Sequence, residues 1–76
     1  MDIDQELQNF CHNVACLRKT HGLTQAQMAK IMHVGIGTVR SLERGIVPPR
    51  LNVCVLRRLY DHFHISADSL ISSQEP

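Results

Sequence analysis

Between Thr24 and Gly45 the chain has room for two short helices and a break of about three residues, and for little else. Thr24 with Gln27 three residues on is a Thr-x-x-Gln capping box, in which side chains and backbone N–H groups at a helix start satisfy one another. Ala26, Met28, Ala29, Ile31 and Met32 supply the apolar content that follows, and this helix is expected to stop near His33. After the break His33-Val34-Gly35, the positions Thr38, Val39, Leu42 and Glu43 continue as another helix, which Gly45 closes. Two helices joined this closely must cross tightly, and the crossing demands a small residue in the middle of the first. Ala29 provides it, with Met28, Met32, Val34, Val39 and Leu42 holding the pair together.

The flanking segments are helical too. Leu7, Phe10, Cys11, Val14 and Leu17 recur at helical spacing and predict a first helix from about Asp4 to Thr20, ended by Gly22. Pro48-Pro49 forbids helix continuation and marks a linker. Val53, Leu56, Leu59, Tyr60 and Phe63 form a further stripe, capped by Asn52, and Ser66 opens a last short turn through Leu70 and Ile71. The expected fold is all-α, with five helices in one domain over residues 1–71 and a polar, frayed tail at 72–76.

At 76 residues such a domain has a limited core and relies on tight packing, a staple or a partner subunit. Its cysteines, Cys11, Cys16 and Cys54, lack the spacing of a disulfide framework or zinc knuckle and read as small apolar residues in a reducing cytoplasm. The acidic start (Asp2, Asp4, Glu6) is unlike a secretory leader, and no apolar run approaches the ~20 residues of a membrane span. No metal site is expected: Cys11-His12 is adjacent on a helix and a poor chelate, and His62-x-His64 lacks partners. No nucleophile–base–orienter set suggests an enzyme, and Gly35-x-Gly37 follows a helix, not the strand that a phosphate cradle needs.

Charge is more informative in its distribution than in its total of +1. Residues 16–50 hold Arg18, Lys19, Lys30, Arg40, Arg44 and Arg50 against Glu43 alone, a local +5 between ends of −3 and −1. A concentrated positive middle is what a phosphate-facing surface needs, although an ordinary solvated surface carries such an imbalance by chance.

The text Leu17-Arg18, Gly22-Leu23-Thr24-Gln25-Ala26-Gln27-Met28-Ala29, Thr38-Val39 and Leu42-Glu43-Arg44-Gly45 resembles the lambda-repressor/Cro-like (XRE) helix-turn-helix family. Leu56, Leu59, Phe63, Ile65 and Leu70 carry the pattern on, so that it covers about residues 10 to 71. The resemblance implies a compact five-helix domain whose helices 2 and 3 form the helix-turn-helix. It further implies sequence-specific binding of double-stranded DNA by a repressor-like transcriptional regulator. Such a regulator acts as a homodimer, with a recognition helix at about 35–44 in the major groove. The setting it implies is cytoplasmic and nucleoid-associated, with no membrane, cofactor or small-molecule ligand.

By the same resemblance Gln25 contacts a DNA phosphate at a helix N-terminus, and Arg18 and Glu43 form a partly buried ion pair that orients the recognition helix. Gly35, Ile36, Gly37, Arg40 and Ser41 fall at or near the base-reading positions, Thr38 counts with them among the DNA-binding residues, and Lys30, Arg44 and Arg50 are candidate phosphate contacts. Two departures stand out. His33 occupies a turn position where the family usually has glycine at positive φ, at a strain of about 1–2 kcal/mol. Gly35 and Gly37 have no side chain, and Ile36 offers only apolar contact, so direct readout rests on Arg40 and Ser41. Either the glycines let the backbone approach phosphates and shape carries the specificity, or the fold serves as a protein-interaction module of antitoxin or antirepressor type. A DNA-targeting domain of a longer regulator is a third option. Val53, Val55 and Tyr60 exceed what one helix face needs and offer a dimer patch in the C-terminal helices.

Overall fold

The computed structural model describes residues 3–47 and 53–72. Among them lie five helices and no strand: α1 (Ile3–Thr20), α2 (Gln25–Met32), α3 (Ile36–Glu43), α4 (Val53–Phe63) and α5 (Ala67–Ile71). The five-helix, all-α expectation holds. The capping role expected of Asn52 and the double proline Pro48-Pro49 lie outside the described residues.

Side chains fix two of the helix starts. Thr24 Oγ1 accepts from the Gln27 N–H at 3.0 Å, and Gln27 Oε1 accepts from the Thr24 N–H at 2.8 Å, completing the box. Ser66 Oγ accepts from the Ser69 N–H at 3.2 Å to begin α5. Gly35, by contrast, starts α3 with no side-chain cap.

The first three helices end in one repeated pattern. Leu23 N donates to Arg18 O and Gly22 N to Lys19 O; Val34 N to Ala29 O and His33 N to Lys30 O; Ile46 N to Ser41 O and Gly45 N to Leu42 O. Each is a six-to-one bond wrapped around a five-to-two bond, which requires a left-handed residue at the bend. Gly22 (φ 64°), His33 (φ 57°) and Gly45 (φ 81°) are those residues. His33 thus takes the positive φ that its turn position demands, where the other two ends use glycine. His64 (φ 58°) repeats the substitution after α4, where its N–H bonds Tyr60 O at 2.7 Å.

α1 packs against α3 and α5, while α2 packs against α3 and α4. The core draws Phe10, Cys11, Val14 and Leu17 from α1, Met28, Ala29 and Met32 from α2, Val39 and Leu42 from α3, Val55 and Leu59 from α4, and Leu70 from α5. Ala29, the small residue required at the α2–α3 crossing, is buried there.

Three apolar assignments need correction. Leu7 is exposed instead of core, because the buried face of α1 begins only at Phe10. On α4, Val55 is buried while Val53 and Tyr60 are 76% and 54% exposed. The helix turns its 55–59 edge to the core, so Val55 leaves the surplus patch and the other two remain in it. Cys54, finally, is exposed and not a core filler.

A polar residue completes the core. Asn13, fully buried on α1, donates through Nδ2 to the carbonyls of Leu70 (2.7 Å), Ser72 (3.0 Å) and Ser69 (3.3 Å). One turn earlier, Asn9 Nδ2 reaches Ile71 O at 3.0 Å. These bonds cap the carbonyl end of α5, whose five residues are too few to hold together without tertiary support.

Candidate nucleic-acid interface

Four side chains from three helices form a chain of bonds beneath the exposed side of α3. Arg18 of α1 grips Glu43 of α3 with Nε on Oε2 at 2.5 Å and Nη2 on Oε1 at 3.0 Å, and spends Nη1 on Leu23 O at 2.8 Å. This bidentate fork ties α1, the turn into α2, and the last residue of α3. Gln25, first residue of α2, donates Nε2 to Glu43 Oε1 at 3.2 Å and accepts Arg40 Nε on Oε1 at 3.3 Å. Burial pushes the Glu43 carboxyl up, but the hydrogen bonds from Arg18 and Gln25, with the charges of Arg18 and Lys19, outweigh it and hold the group below its ordinary range. Glu43 is therefore a fixed anion at neutral pH.

The expected ion pair is present. The link from Gln25 to Arg40 is the part that sequence reasoning missed. It joins positions 15 residues apart on different helices, and no spacing rule points to it.

On α3 the buried residues Val39 and Leu42 fix which side faces out. Ile36, Gly37, Arg40 and Arg44 are exposed, Ser41 is half-buried beside them, and Gly35 is exposed just before the helix. At 100° per residue, Thr38 lies about 160° from Arg40 and is half-buried on the other flank. Thr38, expected among the DNA-binding residues, is thus separated from the exposed set, and the expected base-reading positions come together on one face. Lys30 is exposed on neighbouring α2, at a shallow groove of about 490 Å³ lined by Ala26, Gln27, Ala29, Lys30, Val34 and Ile36. Arg50 lies outside the described residues.

Other chemistry is sparse. Among the described residues no group of three or more His, Cys, Asp or Glu side chains is placed to hold a metal ion. The Cys11 thiol is buried, and burial pushes its pKa up, which disfavours thiolate. Cys16 Sγ lies 3.4 Å from His12 Nε2, a pair one turn apart on α1. No helix among the described residues is long and apolar enough to cross a membrane.

A protein-family model described as helix-turn-helix matches residues 17–56. The match takes in Arg18, all of α2 and α3, and the first turn of α4. No curated protein and no solved structure matches the chain.

Proposed function

The chain belongs to the helix-turn-helix family of DNA-binding regulatory domains, in its lambda-repressor-like (XRE) branch, and from that premise we propose that it is a repressor-like transcriptional regulator. It binds double-stranded DNA as a homodimer, with α3 in the major groove and α2 crossing the backbone. Residues 1–71 act as one domain and 72–76 as a short polar tail, whose first residue, Ser72, is still held to α1 through Asn13.

One observation carries this reading: the outward face of α3 (Ile36, Gly37, Arg40, Ser41, Arg44) is held at a fixed angle by the Arg18–Glu43–Gln25 linkage beneath it. A reading helix must be rigid on its scaffold, because base-edge hydrogen bonds tolerate little misplacement. Gln25, at the N-terminal turn of α2, still has one amide hydrogen for a phosphate oxygen, and the aligned N–H groups there favour an anion. Lys30, Arg44 and Arg50 supply flanking charge for phosphates. The glycines at 35 and 37 allow close backbone approach, since neither position is crowded.

Dimerisation through the C-terminal helices is supported by exposed Val53 and Tyr60, and by a shallow depression lined by Leu56, Arg57, Tyr60, Asp61, Ser66 and Ala67. Two copies related by a two-fold axis would present their α3 helices about 34 Å apart, one turn of DNA.

The test is selection from a randomised duplex library with the full chain, at low and near-physiological salt. A short pseudo-palindrome is expected, bound with a log–log salt slope of about −0.9 per phosphate neutralised. Lys30→Ala and Arg44→Ala should each flatten that slope by about one. Arg40→Ala should relax base preference. Absence of duplex binding at low salt overturns the proposal and turns attention to a protein partner for the α3 face.

A further inference from the structure

The first residue of α3 is a large apolar side chain left in solvent. Ile36 is 38% exposed, and a Cβ added at either neighbour, Gly35 or Gly37, would meet nothing within 4 Å. Nothing at those two positions competes for the space in front of Ile36, and Thr38 is turned to the other flank. Ile36 borders the groove that carries Lys30 on its lining, and Arg40 follows one helical turn later on the same face. An apolar contact set between two cations suits a polyanion that displays apolar groups. In the major groove of duplex DNA, the apolar group on the base edges is the C5-methyl of thymine.

Resting on the DNA-binding reading above, we propose that Ile36 is a specificity-determining residue that packs on a thymine methyl, and that Arg40 reads a guanine about two base pairs away. Four residues of helix span about 6 Å, close to two base-pair steps of 3.4 Å each. Arg40 engages Gln25 through Nε, a bond that leaves the Nη1–Nη2 edge available for another acceptor. That edge matches guanine O6 and N7 in a bidentate contact. The preferred half-site therefore contains a thymine and a guanine in fixed register.

The experiment uses the full chain on the duplex recovered from the library, with single-atom changes in the DNA. Replacing the preferred thymine by deoxyuridine removes the methyl and leaves base pairing intact, and should weaken wild-type binding about fourfold, the equivalent of one buried methyl. The Ile36→Ala protein should bind more weakly and be indifferent to that change, while Ile36→Val should keep the sensitivity. Replacing the guanine by 7-deazaguanine should weaken the wild type about tenfold and leave Arg40→Ala unaffected. Circular dichroism on each variant verifies that the helices are intact. Equal wild-type affinity for thymine and deoxyuridine sites overturns the assignment of Ile36, as does an undiminished methyl effect in Ile36→Ala. Either result leaves DNA binding itself standing, whereas failure to bind any duplex overturns both.

Discussion

Arg18 and Glu43, 25 residues apart in sequence, meet with two guanidinium nitrogens on two carboxylate oxygens, at 2.5 and 3.0 Å. Their side chains keep 17% and 13% of their exposure, so solvent screens the pair only in part. Glu43→Gln should therefore cost about 2 kcal/mol, less than the 3–5 expected on breaking a fully buried pair and more than a surface pair yields. Denaturant unfolding at neutral pH measures it. The pH dependence has a defined sign. Glu43 is held below its ordinary 4.5, so its contribution is complete above that value and is lost as pH falls through the lower folded value. The stability gap between wild type and Glu43→Gln should close in acid; a constant gap would contradict the assignment.

Asn13→Ala should destabilise the fold by about 2 kcal/mol, because buried carbonyls at the end of α5 lose their donor. Asn13→Asp should be worse at neutral pH, since a carboxylate would face carbonyl oxygens, and should recover in part in acid as the group protonates and regains a donor. Thermal unfolding of both variants across pH tests the pattern.

Gly37→Ala should separate stability from binding. The added methyl meets nothing within 4 Å and lies inside a helix, so a gain of about 0.5–1 kcal/mol is expected. If the backbone of α3 approaches DNA closely there, the same methyl should weaken duplex binding. A more stable protein with unchanged affinity would show that DNA does not crowd residue 37.

His33→Gly removes a side chain from a left-handed bend at φ 57°. Relief of about 1–2 kcal/mol of strain is offset by the larger entropy of glycine in the unfolded chain, leaving a net gain of about 0.5–1 kcal/mol. For a domain of this size that is an increase in Tm of about 2–8 °C, read by calorimetry. His33→Val, with a β-branched side chain at the same φ, should lower Tm.

The features legible in the sequence were those governed by local rules. Thr24 and Gln27 are three residues apart and cap the same turn, so the start of α2 could be read directly. The bends at Gly22, Gly45 and His33 follow from helix ends, which are also local. The burial of α4 was harder, because its apolar residues span a wider arc than the core can cover. Periodicity admits both the 53–60 and the 55–59 edges, and packing against α2 decides between them. Asn13 was invisible for the opposite reason: it is polar in an apolar stripe, and its partners lie 56 to 59 residues away. At the candidate interface, family resemblance pointed to the Arg18–Glu43 pair and, apart from it, to Gln25. That Gln25 also holds Arg40 depends on how α2 and α3 cross.

The clasp of Asn9 and Asn13 on α5 also sets an order in time. A ribosome makes α1 well before the segment 69–72, yet among the described residues the acceptors of the Asn13 amide N–H groups all lie in that later segment. Until synthesis passes Ser72, α1 carries at the edge of its buried face an amide without its native acceptors, which discourages premature burial. Joining the two ends of the described chain also closes a long loop, so this domain should fold more slowly than helical bundles built from neighbouring contacts. Synthesis through Ser72, not formation of α3, is the event that licenses the native state.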